Sequence, residues 1–400
     1  MRRVYMDSNA TTPVLPEVFA AMTPFYLEQF GNASSIHQHG QKARAAVEHA
    51  REVIATMLGC RAAEIVFTSG GTESDNLALF GMLQPGDHVI TSTIEHSAVR
   101  RTCKVLEDRG VEVTCIPVDS KCVVDPESVR AAIKPNTKLI SIMMGNNETG
   151  VLQDVEAIGR IAQEASKKYD KKIYFHTDAV QAAGKVKIDV HKIGCDILSI
   201  SGHKMHAPQG TGALYVKSGV PIKPLLIGGT HERHRRAGTE NLPGIVGLGK
   251  AAEIVLRGFE DGSVEKIAAM RDRLQAGILK SVDECGINGL GAPRVPNTLN
   301  VHFDHIEGEA LIIALDLKGM AISSGAACSS GSIEPSPVLL AMGMPHGQAR
   351  SSVRISLGKH NIEADVDFAL SIIPETVAKL RELSPVYKKP VVQNKEAVTT

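Results

Sequence analysis

The feature that most constrains this chain is an alternation. Between residues 65 and 216, short apolar stretches take turns with longer stretches of helical period. Ile65–Thr68, His88–Thr91, Glu112–Ile116, Leu139–Met143, the run from Tyr174, the run from Leu198 and Ala213–Val216 read as strands. Helical patterns from Glu73 and over 97–109, 126–133 and 154–168 fill several of the intervals. Parallel strands need long crossovers, and helices are the usual ones. The pattern therefore predicts an α/β fold with a mostly parallel, seven-stranded sheet covered on both faces. Ligands of such sheets sit beyond the carboxyl ends of the strands.

Past residue 260 the character changes. Stretches 295–303 and 352–357 read as strands, and 307–317 and 363–383 as helices. Four hundred residues are too many for one ordinary core. We expect a large domain over 16–260 and a smaller α+β domain built from 1–15 and 261–384. Residues 385–400 are polar, hold two prolines and show no period, and are expected to form a mobile tail.

Lysine plus arginine and aspartate plus glutamate number 44 each, so net charge points to neither nucleic acid nor an anionic membrane. The basic run His231–Thr239 taken alone would suggest nucleic acid, but one short run in a neutral chain is weak evidence, and an anion-binding or subunit-interface role has at least equal weight. No stretch approaches the ~20 apolar residues of a membrane span, and no apolar run near the start suits a signal peptide. The seven cysteines are odd in number, scattered and lack C-x-x-C spacing, so reduced thiols and a cytoplasmic location are expected.

Polar groups gather at the strand ends. One strand delivers Asp178, and the next delivers Ser201, His203 and Lys204. An amine beside a carboxylate suits pyridoxal phosphate: the amine binds the aldehyde and the anion holds the pyridine nitrogen protonated. A solvated lysine and a capping aspartate are the bland alternatives. Thr68-Ser69-Gly70-Gly71-Thr72-Glu73 links a strand to a helix and could cradle a phosphate, or simply turn with Thr72 as N-cap. His96 follows another strand end and could stack on a ring or move protons. Asn147, in Asn146-Asn147-Glu148, is either a turn residue or a donor to ring or substrate. Cys328 sits in Ser323-Ser324-Gly325-Ala326-Ala327-Cys328-Ser329-Ser330-Gly331-Ser332, a small, polar setting unlike the apolar surroundings of a structural cysteine, with an incidental loop cysteine as the bland alternative. A nucleophile that must travel between sites would suit such a segment.

These motifs, with Asp7–Thr12, Gly31–His37, Ala237–Asn241 and Arg354–Gly358, together resemble the NifS/IscS-type cysteine desulfurases of the class V aminotransferase-like group. The Cys328 segment resembles the long-loop members rather than the short-loop SufS-like ones. The resemblance implies a pyridoxal-phosphate-dependent transferase of fold type I that converts L-cysteine to L-alanine and leaves the sulfur on Cys328 as a persulfide. It implies that Lys204 carries the cofactor and removes the Cα proton. Asp178 pairs with the pyridine nitrogen, Gln181 with the ring hydroxyl, and His96 stacks on the ring. Gly71, Thr72, Ser201 and His203 hold the phosphate, and Thr239 reaches that of the other subunit of a homodimer. Asn147 and Arg354 hold the substrate, Arg354 through its carboxylate. An Fe–S scaffold protein is the implied sulfur acceptor, with a transient [2Fe-2S] cluster bridged through Cys328. Ser8 and Ala33 replace the Asn and Pro of many relatives, and the C-terminal tail does not match the scaffold-docking tail. A selenocysteine lyase or aminotransferase of the same fold is the alternative within enzymes, and a non-catalytic assembly scaffold the alternative outside them.

Overall fold

The computed structural model describes residues 2–324, 335–384 and 387. Its strands, in chain order, are β1 (Val4–Tyr5), β2 (Ile65–Thr68), β3 (His88–Ser92), β4 (Glu112–Ile116), β5 (Thr137–Ser141) and β6 (Tyr174–Asp178). There follow β7 (Ile197–Ser201), β8 (Gly212–Val216), β9 (Cys285–Ile287), β10 (Thr298–Phe303), β11 (Met320–Ala321) and β12 (Ser352–Ser356).

Seven of these form one sheet in the order β2-β8-β7-β6-β5-β3-β4. Strands β4, β3, β5, β6 and β7 pair in parallel. Only β8 runs the other way, pairing antiparallel with both β7 and β2. The expected mostly parallel, seven-stranded sheet is what the chain forms. Side chains alternate across the sheet, as the two-residue period requires. Ile65, Phe67, Ala213 and Tyr215 enter one core, beneath the helices Gln38–Leu58 and Leu242–Gly258. Val66, Leu214 and Val216 enter the other, beneath Gly71–Met82 and Ser97–Asp108. Each fully buried Leu or Ile here contributes roughly 1.5–3 kcal/mol relative to an exposed one.

Helix Gln38–Leu58 shows how local sequence sets the boundaries. The His37 side chain accepts from Gly40 N at its start, and Gly59, with φ 71°, closes it in the left-handed region.

The remaining strands form a three-stranded antiparallel sheet, β12-β10-β9, and a parallel pair, β1-β11. They share a separate core in which Leu299, Val301, Phe303 and Ile355 meet Leu274, Leu311 and Val366 from the covering helices. Met6 belongs to this core, so the N-terminal segment is part of it.

Several boundaries differ from the sequence reading. The strand expected over 295–303 starts at Thr298, because Pro296 has no N–H for a ladder. The helix expected from Glu73 starts at Gly71, with Gly70 rather than Thr72 at its N-cap. The strand at 139–143 ends at Ser141, although Ile142 N and Met144 N still donate to His176 O and Asp178 O. Among the described residues, no helix is long and apolar enough to cross a membrane. Cys328 and, apart from residue 387, the expected tail 385–400 lie outside the described residues.

Candidate active site

A cavity of about 290 Å³ opens at the carboxyl ends of β2, β3, β5, β6 and β7. Register explains how separate strands converge on it. Asp178 ends β6 and pairs with Ser199, two residues before Ser201 ends β7. Ser201 in turn faces Gly212 of β8. A single 3₁₀ turn, Gly202–Lys204, then places His203 and Lys204 in the same wall.

The lysine is held by the N-terminal segment. Lys204 Nζ donates to Asn9 O at 2.5 Å and to Ala10 O at 2.7 Å. His203 accepts or donates at Nδ1 with Thr11 Oγ1, 3.1 Å away, and its carbonyl accepts from Thr12 N at 3.0 Å. Burial, with Lys204 and Lys185 nearby, pushes His203 down to about 4, so it is neutral at physiological pH.

Gly71 and Thr72 open the helix Gly71–Met82 onto the same cavity. First-turn amides of a helix lack intrahelical partners and attract anions. A Cβ built on Gly71 would meet Val180 Cγ2 at 2.7 Å, so the close approach of this turn to the end of β6 needs glycine. Ser201 stands within van der Waals reach of the same point.

Asp178 is buried, and its Oδ1 accepts from Val180 N at 2.9 Å. Burial raises its pKa, while His96, the Val180 N–H and Lys204 oppose the rise. His96 is the N-cap of helix Ser97–Asp108 and accepts from Ala98 N at 3.2 Å through Nδ1. A neutral His96 therefore carries its proton on Nε2. Asn146 Oδ1 accepts from Glu148 N and Thr149 N at 2.9 Å each, a turn that leaves Asn147 on the cavity wall.

Arg354 comes from the small sheet. It sits on β12, with Nη2 donating to Asp7 Oδ1 and Nη1 to Asn147 O, both at 2.8 Å. It also lines the cavity, as does Gln181. Gly71, Thr72, His96, Asn147, Asp178, Gln181, Ser201, His203, Lys204 and Arg354 are thus gathered in one place. Thr239 is exposed and is not among the residues lining this chain's cavity. Cys328 lies outside the described residues, yet both described flanks of its segment are tied to the site. Ser323 pairs with Arg354 through backbone hydrogen bonds in both directions. Ser336 Oγ donates to Glu148 Oε2 at 2.5 Å, beside Asn147.

The sequence reading assigned no role to several participants, among them Ala10, whose carbonyl holds Lys204, and Val180, whose N–H holds Asp178. Asn9, Asp75 and Met143 line the cavity. Glu95 is buried behind it, accepting from Ser92 Oγ and Met143 N, and burial pushes its carboxyl up to about 8. Asp75 rises for the same reason, with Asp178 nearby adding to the effect. Its position on the first turns of the helix after the glycines was the available signal.

An amine, a buried carboxylate and a helix N-terminus facing one small cavity define a site for an anionic carbonyl cofactor, and pyridoxal phosphate fits it. The comparisons agree. A model of the family "Aminotransferase class-V" matches residues 4–368, so the chain belongs to that family, in a branch whose members carry the name cysteine desulfurase. The chain is 50% identical over 392 residues to "Cysteine desulfurase IscS" of Methanosarcina thermophila, covering 97% of this chain and 95% of the relative. It is 47% identical to a cysteine desulfurase of a Nostoc species, covering 96% and 95%. Among solved structures, a "NifS-like protein" superposes with a TM-score of 0.87 at 38% identity, covering 94% of this chain and 100% of that one. Another, titled "SspA in complex with cysteine", gives 0.78 at 37% identity and covers 90% and 99%.

Proposed function

We propose that this chain is a pyridoxal-phosphate-dependent cysteine desulfurase that converts L-cysteine to L-alanine and passes the sulfur through Cys328 toward iron–sulfur cluster assembly. The observation that carries the desulfurase reading over a transaminase one is the double tether. The described residues on either side of the Cys328 segment are joined to the site, Ser323 to Arg354 and Ser336 to Glu148. A transaminase has no use for a thiol there.

Gly71, Thr72, Ser201 and His203 would hold the phosphate, Asp178 the pyridine nitrogen, and Gln181 the ring hydroxyl. His96 would cover the ring face. When bound, pyridoxal phosphate supplies an electron sink conjugated to the substrate's Cα. Arg354 binds the substrate carboxylate through its guanidinium, and Asn147 fixes the other side. Lys204 moves the proton at Cα, for which the carbonyls of Asn9 and Ala10 already orient its amine. A neutral His96 holds its proton at Nε2, because Nδ1 accepts from Ala98 N. The Cys328 thiolate forms a bond to the substrate sulfur as the carbon–sulfur bond breaks and its electron pair returns to carbon. Protonation of that carbon gives alanine, and the persulfide remains on Cys328.

A homodimer completes the reading, with Thr239 reaching the partner's phosphate. Large apolar side chains left exposed over 19–36, among them Phe19, Leu27, Phe30 and Ile36, and Ile227 beyond them support it. The domain division at 16–260 against 1–15 and 261–384 is supported by a core on each side of it, and a smaller cluster in which Ile94, Met143 and Val151 meet Val338, Leu339 and Met342 joins the two. A cytoplasmic location is supported by six described cysteines that are all free thiols. An Fe–S scaffold as acceptor and a transient [2Fe-2S] cluster at Cys328 complete the proposal.

The test is incubation with L-cysteine and mass analysis of the Cys328 peptide. One added sulfur, with alanine released, is the expected result. A Cys328→Ala variant that still released sulfide and alanine at the original rate would end the assignment.

A further inference from the structure

Lys185 is buried, lies seven residues after Asp178 and has no part in the steps above. Its Nζ donates to Gln181 Oε1 at 2.7 Å and to Asn9 Oδ1 at 3.1 Å. The Gln181 Nε2 donates to Asn9 O at 2.9 Å. A backbone carbonyl only accepts, so Gln181 must turn its NH2 group toward Asn9. Its oxygen then points at Lys185, and an amide oxygen also only accepts. A donor is therefore required at position 185. Without one, a buried amide oxygen loses its partner, and the Gln181 side chain loses the contact that fixes its rotation.

The remaining hydrogen of the Gln181 NH2 group is left for the cavity that Gln181 lines. The partners of Lys185 here are amide oxygens, not carboxylates. Burial, followed by the nearby charges of Lys204 and Arg354, pushes its pKa well below the usual lysine range. These causes favour the neutral amine, whose two hydrogens match its two acceptors.

We infer that Lys185 is a positioning residue: by donating to Gln181 and Asn9, it sets the direction in which the Gln181 amide offers its remaining hydrogen to the hydroxyl of a pyridoxal ring. This rests on the cofactor reading given above. The same Asn9 carbonyl that receives Gln181 also receives Lys204, so Lys185 steadies both groups through one residue.

The experiment titrates cofactor-free protein with pyridoxal phosphate and follows absorbance, with a thermal melt of each cofactor-free variant as control. The wild type tests the cofactor itself: failure to bind would sink the cofactor reading, and this inference with it. Given wild-type binding, Lys185→Met is expected to raise the Kd about tenfold, the value of one lost buried hydrogen bond. It is also expected to move absorbance from the visible band toward the near ultraviolet, because the ring hydroxyl keeps its proton. Gln181→Ala should do the same, and the double variant should be no worse than Gln181→Ala alone. Unchanged binding and colour in Lys185→Met would overturn the role while leaving the cofactor intact. So would an undiminished Lys185→Met effect in the Gln181→Ala background, which would mark plain packing. Should Lys185→Met fail to melt cooperatively, Lys185→Gln, which retains a side-chain donor, decides. A Kd within about threefold of wild type with the visible band kept supports the role, and loss of that band overturns it.

Discussion

The two walls of the site are built by different physics. The cofactor wall stands on the ends of adjacent strands, where sheet register places Asp178, Ser201 and Lys204 within a few residues of one another. The substrate wall brings Arg354 from a separate sheet with its own core, and the Asp7 carboxylate and the Asn147 carbonyl hold it in place. The first wall is as rigid as the buried ladder behind it. The second depends on hydrogen bonds between parts of the chain distant in sequence. Removing a residue from one wall should leave the other's property unchanged.

The largest effect is expected at the substrate wall. Arg354→Ala should lower kcat/KM for L-cysteine about a hundredfold, the scale of a lost charge-assisted pair. Steady-state kinetics should show this while pyridoxal phosphate affinity, measured on the cofactor-free protein, stays within about twofold. A matching loss of cofactor affinity would show that the two walls are coupled. At the cofactor wall, Gly71→Ala forces a Cβ against Val180. It should weaken pyridoxal phosphate binding by about tenfold, with the KM for cysteine in the loaded enzyme unchanged.

The smallest effect belongs to the layer behind the cofactor wall. Glu95 keeps its proton in the folded protein up to about 8, against 4.5 for the ordinary group. Between those pH values the folded state binds the extra proton, so stability falls as pH rises through that window. Glu95→Gln should remove this contribution. Denaturant titrations at several pH values should then show a slope shallower by up to ~1.4 kcal/mol per pH unit. An unchanged slope would mean that Glu95 is ionised throughout.

The two walls also differed in how far they could be read from sequence. Strands buried on both faces appear as short apolar runs, and their polar ends mark the cavity, so Asp178, Ser201 and Lys204 were legible. Arg354 was legible only through its motif, because nothing local links β12 to Asp178. Asn9 was legible only as part of the Asp7–Thr12 motif, with no role attached to it, and Lys185 was not legible at all. Asn9 looks like a turn residue, and its side chain and backbone reach Gln181, Thr298 and Ser356. Lys185 follows an alanine- and glycine-rich stretch that reads as a surface turn. Strands β1, β9 and β11 are too short to show any period. The helix Pro16–Met22 has only two buried residues by which to declare itself.

Asn9 carries one more consequence, in time rather than space. Its backbone N–H donates to Ser356 Oγ, 347 residues further on, and its carbonyl receives Gln181 and Lys204. During synthesis the seven strands of the large sheet emerge well before β12 does. Domains tend to fold as they appear. The sheet can therefore form while Asn9 still lacks its most distant partner, and the segment that cradles the lysine gains its last hydrogen bond only when the chain has grown past residue 356.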